Sequence, residues 1–489
     1  MVLIIFLVYS PVLFGHFGFR DDYRWLNAEV HHDHRYLQFN IAQGRAINGL
    51  AEDLLFSRIK YISQLAGVRL LAVCSLAAMA LGIRRGLLRA GWPRSIALAG
   101  GLVAATLPAA QVYAVWALCA IESMGGVIAI AAAALAAESI ANVSPMRRSI
   151  FAIAATLTFL ISLMIYQPVA MLFWVMVAID LFRPAGPPER PLRRLAWYVS
   201  IAATALGLAF IFYQLGLRKY PWVFSALDMP LDRSHLAGFS DAWAKFSWFI
   251  HGPLVDALNF GNIISSGWIA VAVGVFILIG LPAFFRGGLG QRATMLLLAA
   301  ALVIATYLPN FLTAADSAGY RTQPALECLM AFYLLAAAHG WQRIIAKPID
   351  SENFLPTWIP MSFALASAAA AACLVTICFV RPQEKELQFV RSLLTRDKVV
   401  GAQRVVVINA QWEDGISPIW HHEFGTPSSG WPPAATGLVA LALREKFPGH
   451  ANIPVTVDYS LSVPIDNGNA SFPSDMLVID LRQLRRVAP

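Results

Sequence analysis

The sequence predicts an all-α polytopic membrane protein with about eleven transmembrane helices, followed by a small C-terminal extracytoplasmic α/β domain. Three observations support this. Of 489 residues, 58% are hydrophobic and only 13% are charged, against about 25% charged in a soluble protein, and mean hydropathy is +0.60. Apolar runs of membrane-crossing length recur along the chain. After residue 380 the composition changes sharply. Charge this sparse cannot coat a soluble particle of this size, and disorder requires the reverse composition, so a water-soluble enzyme and a disordered chain are both excluded.

A helix crosses the hydrocarbon core with about 20 apolar residues. Such runs lie at residues 1–15, 64–83, 95–113, 118–141, 149–166, 169–181, 197–215, 268–285, 293–312, 325–341 and 355–380. The first is short and lacks a positive flank, and no small-residue cleavage site follows Gly15. The expectation is therefore a longer first helix beginning upstream, with a signal peptide as the weaker reading. Short cytoplasmic loops accumulate Lys and Arg. Alternate loops carry Arg84, Arg85, Arg89 and Arg94, then Arg147 and Arg148, then Arg183, Arg190, Arg193 and Arg194, then Arg286 and Arg292, then Arg343 and Lys347. That phase puts the amino terminus in the cytoplasm. It leaves residues 17–63, the turns at 116 and 167–168, residues 216–267, residues 313–324 and everything after Arg381 outside.

The net charge of +8 and pI near 9.3 follow from this loop bias. No basic patch is interleaved with aromatics as single-strand binding requires, so nucleic acid is not an expected partner. Cys74, Cys119, Cys328, Cys373 and Cys378 all fall in apolar runs without metal-ligand spacing. They read as core residues, and the outer domain is expected to hold no disulfide.

Two outer segments are too long to be connectors. Residues 17–63 show helical patterning with Trp25, Val30, Tyr36 and Leu37, and residues 240–258 alternate Trp243, Phe246, Phe249 and Leu254 with polar positions. Both read as helices lying in the membrane interface, where aromatics either meet a lipid-borne substrate or simply anchor the loop. The chain then divides into a transmembrane domain, 1–380, and an extracytoplasmic α/β domain, 381–489. The latter has a helical stretch at 383–396, strand-like runs at 404–409, 454–459 and 476–480, and a helical pattern at 434–447. No glycine-rich phosphate loop accompanies those strands, so no nucleotide site is expected there.

The sharpest local signal is Phe19-Arg20-Asp21-Asp22-Tyr23-Arg24-Trp25, just after the first run. Adjacent carboxylates at a membrane surface repel each other and lose hydration, which points to a bound cation, a basic partner or a proton to be taken. An aspartate there can act as general base toward an alcohol. The bland alternative is that Asp21 and Asp22 cap the following helix. Layout and motif together resemble the polytopic GT-C glycosyltransferases, whose first outer loop follows the first span and bears an acidic pair containing the catalytic base. More narrowly, Asp21-Asp22-Tyr23-Arg24 followed by Gly44-Arg45 is similar to the bacterial GtrII-type glucosyltransferases, with weaker echoes at Tyr320-Arg321 and His422-Glu423-Phe424-Gly425.

The resemblance implies an inverting glycosyltransferase of the bacterial inner membrane. It would move a hexose, glucose in the GtrII type, from a polyprenyl-phosphate donor to a hydroxyl of a lipid-linked or surface glycan such as O-antigen or lipopolysaccharide in the cell envelope. Asp21 or Asp22 would take the acceptor proton while the lipid phosphate leaves. Developing charge on that phosphate calls for cations on the outer side. The candidates are Arg321 beside Tyr320, Arg218 and Lys219 after the seventh run, and Arg45, each of which could instead be a cation snorkelling at a span end.

His31, His32 and His34 surround Asp33. They could contact acceptor or phosphate, hold a divalent metal, or form a solvated face, so no cofactor is assigned. His421, His422 and Glu423 lie near Trp412, Trp420 and Trp431. Tryptophan faces suit sugar rings, which makes His422, Glu423 and Trp420 candidate acceptor contacts, with aromatic packing as the alternative. The main rival function is a transporter or lipid/glycan flippase, for which Glu122, Glu138 and Glu327 near or inside the runs would be the ionisable residues. A membrane-anchored binding protein is a third class.

Overall fold

The computed structural model describes residues 1–30, 34–141, 144–226, 237–259, 267–314, 316, 319–345, 358–410, 417, 421–457 and 475–484. Helices occupy every apolar run. Among the described residues, seven are long and apolar enough to cross a bilayer: Ile62–Arg89, Cys119–Ala141, Pro145–Ile165, Pro191–Lys219, Gly267–Phe284, Leu289–Thr306 and Trp358–Leu393. An eighth results if Arg94–Ala104 and Pro108–Val115, bent by 52°, are counted as one span.

The expected eleven is therefore not reached by length and apolarity. Residues 1–15 form two short helices, Val2–Val8 and Ser10–Phe14, that break at Tyr9 with Pro11 in the first turn of the second. The run at 169–181 lies in the short apolar segment Gln167–Leu181. The run at 325–341 lies in Pro324–Ile345, which spans 22 residues but carries Glu327, His339, Gln342 and Arg343.

The bend at 105–107 has a local cause. Leu107 is extended ahead of Pro108, as the residue before a proline prefers, and Pro108 has no amide to continue the helix. The carbonyls freed there find partners, because Thr106 Oγ1 donates to the Leu102 carbonyl at 3.1 Å and Gln111 Nε2 donates to the Thr106 carbonyl at 2.9 Å. The Ala109 amide donates to Glu327 Oε2 at 3.0 Å, tying the second half-helix to Pro324–Ile345.

Small residues let the helices approach closely, as membrane packing favours. A Cβ on Gly340 would lie 1.9 Å from the Gly280 carbonyl oxygen, so the two helices cross in backbone contact there. Outward faces are apolar. Ile150, Ile153, Leu157 and Ile161 are exposed on one helix, Phe210, Ile211 and Leu215 on another, Val271, Val275 and Leu278 on a third. Large apolar surface of this kind suits lipid contact, and the arrangement is compatible with a multi-pass membrane protein.

The arginine-bearing loops gather. Arg343 donates to the Phe284 carbonyl at 2.5 Å and the Pro184 carbonyl at 3.1 Å, and Trp92 stacks on Phe284. The acidic pair lies elsewhere, on Asp21–Val30, the first of three helices in the predicted first outer loop with Arg35–Ala42 and Ala46–Phe56. The predicted second outer loop contains Ala242–His251 and Pro253–Asn259.

The last span continues without interruption into the polar helix Arg381–Leu393. Beyond it, β1 (Arg404–Ile408), β2 (Val455–Val457) and β3 (Met476–Asp480) form a parallel sheet in the order β2-β1-β3. Val405 pairs with both Val455 and Leu477. Helix Pro432–Lys446 lies between β1 and β2 in sequence, as parallel strands require. That helix packs on Asp21–Val30: a Cβ at Gly437 would sit 2.4 Å from the Tyr23 carbonyl oxygen.

Candidate functional site

The two aspartates of the motif have different environments. Asp22 is fully buried and accepts hydrogen bonds from three backbone amides, Phe19 at 2.9 Å, Leu118 at 3.0 Å and Ala117 at 3.2 Å. Arg69 Nη2 lies 3.6 Å away. Burial pushes the Asp22 carboxyl up to about 6, although Arg69 and the three amides favour its charge. Arg69 is itself fully buried. Its Nη2 donates to the Phe17 carbonyl at 2.6 Å, its Nε to the Val115 carbonyl at 2.8 Å, and its guanidinium lies 3.9 Å from the centre of the Phe17 ring. Asp22 and Arg69 thus fasten the segment 17–22 to the 115–118 turn.

Asp21 is only partly buried and accepts no hydrogen bond from the described residues. It opens its helix within electrostatic reach of the Arg20 guanidinium, as do Glu423 and Arg321. Asp21 is therefore the member of the pair left available for chemistry.

Around this carboxylate the chain assembles cations and aromatics. Arg321 grips Glu122 with two donors, Nε to Oε2 at 3.0 Å and Nη2 to Oε1. Its guanidinium lies 4.7 Å from the centre of the Trp116 ring and 5.2 Å from that of Tyr166. Burial opposes its charge, and the Glu122 carboxylate outweighs that penalty. Arg45 lies 4.6 Å from the same Tyr166 ring and donates from Nε to Gln167 Oε1 at 3.1 Å. Two predicted phosphate ligands thus flank one tyrosine. Tyr113 Oη donates to the Arg321 carbonyl at 2.7 Å and steadies that turn.

Glu52 completes the group. It is buried, accepts from Asn40 Nδ2 at 3.1 Å, and is raised to about 8 by burial and then by repulsion from Glu122. A carboxyl whose folded value is raised adds stability that is full below its unfolded value near 4.5, declines as pH rises, and is gone above about 8. Glu52→Gln keeps an oxygen for Asn40 and removes the ionisation. Its melting temperature in detergent is expected to fall less than wild type between pH 5 and 9, and equal slopes would contradict the assignment.

The C-terminal loop enters the same region. Arg20 takes a left-handed conformation at φ 48°. Its amide donates to Ser428 Oγ at 2.7 Å, and its Nη2 donates to the His422 carbonyl at 3.0 Å and Thr426 Oγ1 at 3.1 Å. Glu423 accepts from the Tyr320 amide at 3.0 Å, and a Cβ on Gly319 would lie 2.1 Å from its Oε1. The Tyr320 ring meets His422 edge-on at 5.5 Å and His421 at 6.0 Å. Buried Glu386 holds the far side of the loop by accepting from the amides of Ser428 and Ser429, both at 2.9 Å.

Both histidines converge on Asp256 of Pro253–Asn259. His422 Nε2 is 3.0 Å from Oδ2 and His421 Nε2 is 3.4 Å from Oδ1. Burial would raise Asp256, yet the two histidines hold it down at about 2, and Asp256 in turn raises His422 against the effect of burial. Among the described residues, this is the group of three or more His, Cys, Asp or Glu side chains that could hold a metal ion.

The remaining predicted residues are placed apart or not described. Arg218 and Lys219 are exposed at the end of Pro191–Lys219; Lys219 lies over the Tyr220 ring at 5.4 Å, and neither is bonded to the cluster among the described residues. That helix does abut the first loop, since a Cβ on Gly216 would lie 2.1 Å from the Ile41 carbonyl oxygen. His34 is 2.9 Å from Asp53 on an exposed edge. His31, His32, Asp33, Trp412 and Trp420 lie outside the described residues.

Asp256, Glu52 and Arg69 were not legible in the sequence as site residues, whereas Arg20 belongs to the motif around the acidic pair. Arg69, a lone arginine in an apolar run, was the signal available for its role. No protein-family model and no curated protein matches the chain.

Proposed function

We propose that the chain is an inverting glycosyltransferase of GT-C type. It moves a hexose, glucose by its resemblance to the GtrII-type enzymes, from a polyprenyl-phosphate donor to a hydroxyl of a lipid-linked or surface glycan on the extracytoplasmic face of a bacterial inner membrane. The observation that carries this reading is the inequality of the acidic pair, in which Asp22 is consumed by three amides while Asp21 accepts no hydrogen bond from the described residues and lies within electrostatic reach of Arg20.

In this reading Asp21 takes the proton from the acceptor hydroxyl. The resulting oxygen attacks the anomeric carbon from the face opposite the phosphate, and the carbon–oxygen bond to the lipid phosphate breaks. A carboxylate can serve as base only with its lone pairs uncommitted, which favours Asp21 over Asp22. Arg321 receives the leaving phosphate. Glu122 occupies Nε and Nη2, whereas Nη1 donates to none of the described residues and the side chain is 24% exposed. Arg45, also against the Tyr166 ring, supplies the second cation. His422 and Glu423 hold the loop that borders the site, and acceptor hydroxyls would meet that loop.

Purified protein with radiolabelled polyprenyl-phosphate glucose and a lipid-linked glycan is expected to give labelled glycan, and no transfer by wild type would end this reading. Arg321→Lys keeps a charge beside Glu122 but loses the planar fork. Its turnover is expected to drop on the order of 10²-fold with an unchanged melting temperature.

One observation favours the rival transporter or flippase. The bent pair Arg94–Ala104 and Pro108–Val115, with Glu327 on an amide of its second half, resembles the broken helices of secondary transporters. A flippase would move labelled lipid across proteoliposomes and leave the glycan unlabelled in the assay above.

A further inference from the structure

We infer that Asp256, His421 and His422 form a binding site for one divalent cation of the zinc class, with an open coordination position that takes a phosphate oxygen. The cation site stands on geometry alone, whereas the phosphate contact rests on the proposed function.

The ligand atoms come from two distant segments, the second outer loop and the C-terminal loop, and converge without sequence proximity. Each of the three residues offers one ligand atom, and these atoms all lie within 4.8 Å of one another. Zinc bonds nitrogen and oxygen near 2.0–2.2 Å, so neighbouring ligands of a tetrahedral ion lie about 3.3–3.5 Å apart. Each histidine nitrogen is near that edge length from one carboxylate oxygen, His422 Nε2 3.0 Å from Oδ2 and His421 Nε2 3.4 Å from Oδ1, so binding one ion through a single oxygen needs the carboxylate to turn slightly. The ligand set, two imidazoles and one carboxylate, is one that zinc uses in sites that keep a fourth position for water or substrate.

The local backbone is built to bring two consecutive histidines together. Successive side chains on extended backbone point to opposite sides. Here His422 adopts φ 51°, a left-handed conformation uncommon for a non-glycine residue, and the two rings lie 4.1 Å apart. The turn is closed on both sides, because the His421 amide donates to the Phe424 carbonyl at 3.0 Å and the Phe424 amide donates back at 2.8 Å. Tyr320 packs edge-on against both rings, and Arg20 holds the backbone of this turn through the His422 carbonyl. Strain of this kind concentrates at functional sites. Without an ion, a single carboxylate must serve two adjacent imidazoles; a cation satisfies all three groups at once. Tyr320, whose ring packs on both histidines, is the chain neighbour of Arg321, the phosphate ligand of the proposed function on which the phosphate contact rests.

Full-length protein in detergent, stripped by chelation and dialysed against zinc, is expected to hold one zinc per chain by elemental analysis. Cobalt loading is expected to give the visible bands of a tetrahedral site, and a polyprenyl monophosphate in mixed micelles should shift them. His422→Ala and Asp256→Asn are expected to lose zinc stoichiometry. A variant with His31→Ala and His32→Ala should retain it and controls for the histidines of the first loop. Helical circular dichroism would establish that each variant is folded. Folded wild type without stoichiometric zinc, or zinc lost in the His31/His32 variant and kept in His422→Ala, would overturn the site. Cobalt bands unmoved by the polyprenyl phosphate would overturn the phosphate contact, even if sugar transfer is observed. A metal-loaded protein with no transferase activity would refute the proposed function and leave the cation site standing.

Discussion

Asp21→Asn is expected to lower sugar transfer by about 10²–10⁴-fold, the usual contribution of a positioned general base, with yield and melting temperature close to wild type. The expectation of an intact fold follows from the surroundings of this carboxylate. Asp21 is partly exposed and accepts no hydrogen bond from the described residues, so the amide leaves no buried donor unsatisfied. Its loss removes one of the acids that support the Arg20 charge, and Glu423 remains. Initial rates with saturating donor, alongside thermal melts of the same preparations, make the measurement. Transfer within about tenfold of wild type would remove Asp21 from the base role.

Asp22→Ala is expected to act in the opposite way, by loss of the folded protein. It strands the amides of Phe19, Ala117 and Leu118 and leaves Arg69 buried beside no carboxylate. Removing one partner of a buried pair costs about 3–5 kcal/mol, a large part of the stability of most domains. Detergent melts and recovered monodisperse protein would show it. Partial recovery in Asp22→Leu with Arg69→Met is the diagnostic result, because replacing both partners by apolar groups removes the stranded charge. A well-folded but inactive Asp22→Ala would instead place catalysis at Asp22.

What the sequence revealed and what it hid differ by the kind of interaction. Hydropathy located a helix at each apolar run, and the strand-like run at 476–480 matches β3 at both ends. The number of crossings was less legible, because Tyr9 with Pro11 and the polar positions of Pro324–Ile345 alter length and apolarity without erasing the run. The motif around Asp21 and Asp22 stood out, but its division of labour did not. Asp22 is distinguished by backbone amides 95 and 96 positions away, and backbone donors have no sequence signature. Arg321 and Glu122 are separated by 199 positions, and Asp256 and His422 by 166. The available clue was complementary charge at matching depth, with an acid in the first turn of an otherwise apolar helix and an arginine in a short outer loop. Apart from Arg20 and Tyr23, the partners of the C-terminal loop follow from tertiary packing alone.

The bond from Arg20 to the His422 carbonyl joins positions 402 residues apart, and this separation sets an order of events during biosynthesis. Chains emerge from the ribosome amino end first, so the loop bearing Asp21 is made long before the segment that borders it. Until residues 421–428 are delivered, Arg20, Tyr320 and Asp256 lack the partners that this segment supplies. The surroundings of Asp21 are thus among the last contacts that a growing chain can close.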